Sequence, residues 1–496
     1  MEYTMGIDVG TSSVKAALLE RSGRLAGAVS KKYEIFIPTL GWAEQDPEEW
    51  WEAAKSAVAE VLRVCGVSGG QVKGIGFSGQ MHGLVALDKD EKPVCPAIIW
   101  MDQRSGKESA ELQKIVEENG LGGTLMNRPI PGSLICSLLW LKRHEPALFE
   151  EIRWAMLPKD YLRYRLCGEI FTDETDASAS LAFSVAERRW CGELRDKLGI
   201  DPAIFPSVGK PWDVCGKVSS LAAAETGLLQ GTPLTAGGAD SAMQLVGNGV
   251  IFPGSYACNI GTGAQILTVT DRPMYDEALR SQTFCHAAES SWYLQCGTLN
   301  GGSALNWLKG QALQNQADFE TFLKSAASVP AGSEGLIFLP YLAGERNPYL
   351  NPDAKGIFFG LAMKHGQGHL IRAVMEGVAY NLYECMEIMK GLGLPVSRLI
   401  ASGGGAKGQL WRQILADMFG VPVYTTETTE EACTGAAMMA AVGLGWYKDT
   451  AQAVEETVKL AEQATVPVPD HTALYEENRW RFRGLYEGTK GLLNAR

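Results

Sequence analysis

Asp8-Val9-Gly10-Thr11-Ser12-Ser13-Val14-Lys15 decides how this chain is read. The phrase ends one apolar run, Tyr3-Thr4-Met5-Gly6-Ile7, turns at Gly-Thr, and enters another, Val14 to Leu19. A related phrase, Asn259-Ile260-Gly261-Thr262-Gly263, returns in the second half between Tyr256-Ala257-Cys258 and Ala264 to Val269. A Gly-Thr tip lets backbone N–H groups approach an anion closely, and the hydroxyl adds a donor. Two such tips, one per half, can close on the phosphates of one nucleotide from opposite sides. The first carries Asp8, a carboxylate suited to holding Mg2+ directly or through water. The second has neutral Asn259 at the matching place, so the pair predicts one metal-phosphate site between the halves. The plain alternative is two ordinary β-turns.

Outward from the first tip the pattern is strand, strand, strand, helix, strand. Strands are predicted near residues 3–8, 13–20 and 25–36. Asp46-Pro47-Glu48-Glu49-Trp50 starts a helix that runs to about Val64, with Asp46 as N-cap and Pro47 in the first turn. Val72 to Ser78 forms the next strand and delivers the tip Gly79-Gln80-Met81-His82-Gly83. The second half repeats the order, with strands near 255–260, 264–270 and 292–297, a helix near 301–314, and the strand Leu399 to Ser402. That order predicts an α/β chain of two actin-like (ribonuclease H-like) ATPase domains, residues 1–247 and 248–496, with the catalytic cleft between them.

Composition fits. A chain of 496 residues is too long for one core and suggests two large domains. A net charge of −12 argues against broad nucleic-acid binding or adhesion to an anionic membrane. No signal-peptide pattern and no apolar run long enough for a membrane helix is read. The 11 cysteines are scattered and contain no C-x-x-C, so they are expected to be reduced, mostly buried thiols of a cytoplasmic protein.

Asp240 is the catalytic candidate. It follows Gly237-Gly238-Ala239 and precedes a helix-compatible run, Ser241 to Val246. A carboxylate at such a joint can accept the proton of a hydroxyl that attacks a γ-phosphate. It can equally be a helix N-cap. Gln80, Met81 and His82 present amide, thioether and imidazole on one short loop suited to a polyhydroxylated ligand. Trp100 can pack on a sugar face, and Asp102 and Arg104 add polar contacts; a core tryptophan and a surface ion pair are the alternatives. Ser402-Gly403-Gly404-Gly405-Ala406-Lys407 ends a strand and admits a flat base or ribose close to backbone. No G-x-x-x-x-G-K-[ST] occurs, which excludes a P-loop.

With these residues in view, the chain resembles the FGGY family of carbohydrate kinases along essentially its whole length. Gly356-Ile357-Phe358-Phe359-Gly360-Leu361, then seven residues, then His369-Leu370-Ile371-Arg372-Ala373-Val374-Met375-Glu376, fits that family's C-terminal signature. The Gln80–His82 tip, the Trp100–Arg104 segment and Leu157-Pro158-Lys159-Asp160-Tyr161-Leu162 are most similar to its xylulokinase branch. The resemblance implies ATP-Mg2+-dependent phosphorylation of the terminal hydroxyl of an open-chain ketose, with D-xylulose first and L-xylulose, ribulose, gluconate or a polyol as alternatives. It places the base role on Asp240 and metal and phosphate contact on Asp8. Thr11, Ser12, Ser13 and Lys15 take the first phosphate turn, Gly261, Thr262 and Gly263 the second, and Gly404, Gly405 and Ala406 the adenosine side. Gln80, Met81, His82, Trp100, Asp102 and Asp240 take the sugar. The sequence does not give the oligomeric state; relatives commonly form dimers, so a homodimer is one option, with no nucleic-acid or membrane partner expected.

Departures from the family pattern are Ser137 and Leu134 in the N-terminal signature, Met101, Ser241 after the base, and Gly263-Ala264 in the second turn. Two rival readings stand beside the kinase: a non-kinase actin-like ATPase, and a catalytically weak sugar-binding regulator.

Overall fold

The first strand pair sets the architecture, because every residue of Tyr3–Val9 is buried and the tip that follows must therefore emerge at a sheet end. The structure, a computed structural model, describes residues 1–427 and 430–493. In the first half β1 (Tyr3–Val9) pairs antiparallel with β2 (Ser13–Glu20), and β2 antiparallel with β3 (Leu25–Lys32). Helix α1 (Pro47–Cys65) then returns the chain to β4 (Val72–Gly79), which lies parallel to β1. Asp46 caps α1 by accepting from Glu48 N at 2.9 Å, and Gly66 ends it at φ 65°. The sheet is completed by β5 (Val214–Lys217), β6 (Pro233–Thr235) and β7 (Gly238–Ala239). Its order is β5-β6-β4-β1-β2-β3, with β7 also paired to β4.

The second half repeats the plan with β8 (Ser255–Ile260), β9 (Ala264–Thr270), β10 (Gln282–Cys285), β11 (Trp292–Thr298), β12 (Arg398–Ser402) and β13 (Val423–Tyr424), in the order β10-β11-β9-β8-β12-β13. β8 and β9 are antiparallel, β9 and β11 antiparallel, and β8 and β12 parallel, the relations of β1, β2, β3 and β4. Each Gly-Thr tip therefore sits at the same end of its own sheet.

Three expectations are refined. The third strand stops at Lys32, and Phe36 makes only an isolated bridge to Glu44. The helix expected over 301–314 is α-helical over Gly302–Trp307 and widens into a π turn over Leu308–Ala312. Strand β10, at the edge of the second sheet, was not expected. The 11 cysteines are all free thiols. Among the described residues no helix is long and apolar enough to cross a membrane.

The halves meet through small residues. The helix α6 (Glu431–Gly443) of the second half packs on β1 and β4 of the first and on the helix α4 (Asp240–Gly247). Three short helices, α2 (Pro158–Cys167), α3 (Glu174–Ala179) and α5 (Gly302–Trp307), complete the elements that matter for the cleft. The approach is backbone to backbone. A Cβ on Gly76 would stand 1.9 Å from Ala436 O, one on Gly247 1.9 Å from Glu431 O, and one on Gly435 2.1 Å from Met243 O. Gly76→Ala must push α6 off the sheet. Overpacking of this kind costs about 1–3 kcal/mol. The expected result is a lowered Tm in differential scanning calorimetry. An unchanged Tm would show that the helix slides freely.

Candidate active site between the two sheets

Three cavities run end to end along the cleft. The first, about 340 Å3, is lined by Asp8, Lys15, Met81, His82, Trp100, Asp240, Ser241, Gln244 and residues of the second half. The next, about 610 Å3, shares Lys15, Gln244, Glu430 and Glu431 with it and reaches Asn259 and Gly403-Gly404. The last, about 310 Å3, shares Gly404 and is walled by Gly261, Thr262, Leu305, Phe319, Leu323, Leu410 and Trp411. The path thus leads from a polar chamber, past carboxylates and a lysine, to an apolar slot beside the second Gly-Thr turn.

Asp240 stands at the polar end. Ala239 occupies the cap position of α4, and Asp240 is the first helical residue, its Oδ1 accepting from Ser241 N at 2.6 Å. The N-cap alternative is therefore not what the structure shows. The carboxyl stays partly open to the cleft although protein atoms surround it. Burial pushes its pKa up to about 7, the charge of Asp8 adds to the rise, and the Ser241 contacts pull the other way. Ala239 N donates to Thr175 Oγ1 at 2.9 Å, which ties the start of α4 to α3.

The same helix α3 holds His82. The imidazole Nδ1 lies 2.7 Å from Ala179 O at the end of α3. A carbonyl accepts only, so Nδ1 carries the proton and Nε2 is left as an acceptor for a hydroxyl. Burial draws the His82 pKa down to about 4, against the Ala179 bond, and Arg346 lowers it further. His82 is neutral at pH 7 and sits at φ 73°, a left-handed conformation rare outside glycine. Met81 lies beside it, its sulfur accepting from Tyr293 Oη at 3.8 Å.

At the first turn Gly10 N donates to Ser13 O at 3.0 Å, and Tyr33 Oη donates to Gly10 O. Trp100 Nε1 donates to Thr11 Oγ1 at 3.0 Å, so Trp100 both walls the chamber and fixes the turn. Ser12 is exposed and Ser13 half-buried. Lys15 reaches across the cleft to Glu430 at 2.9 Å. Asp8 is buried, and its Oδ1 has no hydrogen-bond partner. Burial raises its pKa, while Ser78 and Lys15 pull it back. A buried hard oxygen without a donor fits one coordination position of Mg2+, an ion bound through one or two carboxylates, water and phosphate.

At the second turn Gly302 N donates to Gly261 O at 2.8 Å, and Ser303 N to Thr262 O at 3.0 Å, seating the turn on the start of α5. Gly263 packs so closely that a Cβ would stand 2.7 Å from Thr298 O. Asn259 Nδ2 donates to Ser402 Oγ at 3.2 Å. Gly403, at φ 77°, carries the chain from β12 into Gly404, Gly405 and Ala406.

Two expected sugar residues are placed elsewhere. Gln80 is buried behind the first turn, its amide donating to Gln45 Oε1 at 2.8 Å, while Gln45 donates to Thr11 O at 2.7 Å. Asp102 is fully buried and consumed by Ala43 N at 2.7 Å and by Arg104, whose guanidinium also meets Glu44 and covers Trp42. Neither lines the cavities, so both support the site from behind. Of the departures only Ser241 touches the chamber; Leu134, Ser137, Met101 and Ala264 do not line it. Sequence reading missed Gln244, Gln265, Gln295, Arg346, Glu430 and Glu431. Single polar residues far apart in the chain carry no local signal, and the Glu-Glu pair reads as an ordinary helix start. Burial, with Glu430 adding and Lys15 opposing, pushes the Glu431 pKa up to about 7.

Residues 3–247 match the N-terminal domain, and residues 256–444 the C-terminal domain, of the FGGY family of carbohydrate kinases. The chain belongs to that family. It is a sugar kinase, a phosphotransferase of the class that uses ATP as donor. Among its relatives is a xylulose kinase of Bacillus subtilis (strain 168), 34% identical over 495 residues, covering 100% of this chain and 99% of that protein. A ligand-bound xylulose kinase structure from Lactobacillus acidophilus superposes with a TM-score of 0.93 at 27% identity, over 99% of both chains. A gluconate kinase structure from the same organism gives 0.93 at 26% identity, over 100% of this chain and 99% of that one. The paired sheets described above are the fold these FGGY kinases share.

Proposed function

We propose that this kinase converts D-xylulose to D-xylulose 5-phosphate, with Asp240 as general base. The observation that carries the reading is the shared chamber: the Asp240 carboxyl, the neutral His82 acceptor and Asp8 all face one cavity. The terminal hydroxyl rests against Asp240, and the other hydroxyls donate to His82 Nε2. ATP lies along the cleft, its base in the apolar slot by Gly404, Gly405 and Ala406. Its phosphates lie between the turn Thr11 to Ser13 with Lys15 and the turn Gly261, Thr262 and Gly263. Asp8 would hold Mg2+, which would supply charge neutralisation at the phosphates. Asp240 takes the proton as the hydroxyl oxygen bonds to γ-phosphorus and the bond to the ADP oxygen breaks.

Similarity over the whole length to xylulose kinases at 34% and 36% identity supports the choice of sugar. Gluconate is the second reading, supported by the gluconate kinase likeness and by the Arg346 guanidinium on the chamber wall, which could equally meet a carboxylate. The division into domains 1–247 and 248–496 and a cytoplasmic homodimer belong to the same reading. Exposed Phe359, Leu361 and Met363 offer the second copy an apolar strip.

The test is ADP release with ATP-Mg2+ against D-xylulose, L-xylulose, ribulose, gluconate and polyols. Selective stimulation by D-xylulose is the expected result. Selective stimulation by another compound moves the specificity. No stimulation by any of them, with ATP bound, would overturn the reading in favour of a regulator or a non-kinase ATPase.

A further inference from the structure

Among the described residues, the second half contributes one cation to the wall of the sugar chamber. Arg346 lines the cavity that holds Met81, His82 and Asp240. Its position is fixed from both sides. Glu345 accepts from Arg346 N at 2.8 Å, from Leu299 N at 3.4 Å and from Asn381 Nδ2 at 2.8 Å. Asn347 Oδ1 accepts from Gly297 N at 3.0 Å, and its amide donates to Arg280 O. Glu345 thus spends its oxygens on backbone and an amide. Burial also pushes its pKa up to about 8, so it does not act as a full counter-charge at neutral pH.

No acidic side chain among the described residues forms an ion pair with the Arg346 guanidinium, and burial draws its pKa down. The side chain is half-buried, the charge of Glu345 only opposes the fall in its pKa, and the five donors of a guanidinium are wasted unless oxygens meet them. A Cβ on Gly297 would stand 3.6 Å from Arg346 Nη1, which places the guanidinium against β11, the strand that also carries Gln295. Its charge acts on His82 across the same chamber.

We infer that Arg346 determines acceptor specificity: from the second-half wall its guanidinium donates to sugar oxygens other than the hydroxyl that is phosphorylated, the carbonyl and adjacent hydroxyl of a ketose. This rests on the kinase reading above. Gln295 and Gln265, linked at 3.2 Å, stand beside it on the same wall and supply further amide contacts. His82 then accepts where Arg346 donates, so the two side chains read opposite hydrogen-bond polarity along one open-chain molecule.

The experiment compares Arg346→Met and Arg346→Lys with the wild type, in steady-state kinetics with D-xylulose at saturating ATP-Mg2+ and in calorimetric titration with the sugar alone. Loss of hydrogen bonds from a charged donor predicts a rise of about 10- to 100-fold in sugar KM and Kd for Arg346→Met. The fall in kcat should be much smaller, and the KM for ATP should not follow. Arg346→Lys should recover part of the loss, because the charge returns without the planar fork. A fall of kcat with sugar KM unchanged would overturn the inference and place the guanidinium on the transferring phosphoryl group. Unchanged kinetics in both variants would overturn it as well. If Arg346→Met does not fold, the KM of Arg346→Lys decides. Wild-type turnover tests the function separately: should another acceptor prove to be the substrate, the same KM and kcat comparison with that acceptor tests Arg346.

Discussion

Asp240→Asn is expected to lower kcat with the sugar by about 10²- to 10⁴-fold, the usual contribution of a positioned general base. The side chain keeps its volume and can still accept from Ser241 N, so the chamber keeps its shape. What is lost is the acceptor for the hydroxyl proton. ATP binding, followed by calorimetry, should be nearly unchanged, because the apolar slot and the Gly261-Thr262 turn lie at the other end of the cleft. The pH profile gives a second handle. With its pKa pushed up to about 7, Asp240 is a base only once deprotonated. The wild-type kcat/KM for the sugar should therefore fall as pH drops through about 7, and a profile flat from pH 6 to 8 would count against this carboxyl. Stability has the opposite sign. The folded state holds the Asp240 proton more tightly than the unfolded chain, so stability falls as pH rises from about 4 to about 7 and the full loss is present above that. Asp240→Asn should thus raise Tm at pH 8 while lowering turnover, a trade expected where function has placed a strained charge. A variant with near wild-type kcat would remove Asp240 from the reaction.

How much of this was legible in the sequence follows from how local each signal is. The two Gly-Thr phrases announce themselves because a tight turn between two strands is encoded in a few consecutive residues. Asp46-Pro47 declares the start of α1 for the same reason. Asp240 was found from its glycine-rich approach, although its exact place, first in the helix with Ala239 as cap, depended on β7 pairing with β4. Gln80 and Asp102 were misplaced because a polar residue on a conspicuous loop looks like a ligand contact from sequence. Only tertiary structure reveals Gln45 behind the one and Arg104 beside the other. Arg346 was invisible for the converse reason. An arginine next to a glutamate reads as a satisfied pair until the structure shows Glu345 turned to backbone amides. The seating of α6 on the opposite half was equally hidden, since its small residues announce a close contact but not with what.

The largest stability effect is expected at Lys159, which touches neither sugar nor nucleotide cavity. Its ammonium is fully buried, 2.6 Å from Asp160 Oδ1, 2.9 Å from Asp173 Oδ1 and 3.2 Å from Asp176 Oδ2. Burial works to discharge it, and the three carboxylates outweigh that and hold its pKa well above the usual lysine value. Arg163 is the other cation, 3.1 Å from Asp160 Oδ1. Lys159→Met leaves three buried acids facing one guanidinium. Removing one partner of a buried ion network costs about 3–5 kcal/mol. For a domain of this size that is roughly 6–20 °C in Tm. The deficit must depend on pH with a definite sign. Burial already raises the pKa of Asp173 and Asp176, with Lys159 opposing the rise, and without Lys159 both climb further. Protonation then relieves the repulsion, so the variant should lose less stability at pH 6 than at pH 8. Asp173 accepts from Thr175 N at 2.6 Å, and Thr175 Oγ1 accepts from Ala239 N. The network thereby braces α3 and, through it, both His82 and Asp240. Turnover below the melting temperature should fall along with stability, with sugar KM and kcat both affected. A Lys159→Met protein whose Tm lies within a degree or two of wild type at pH 8 would show that the acids are already neutral, and that α3 stands without its ionic support.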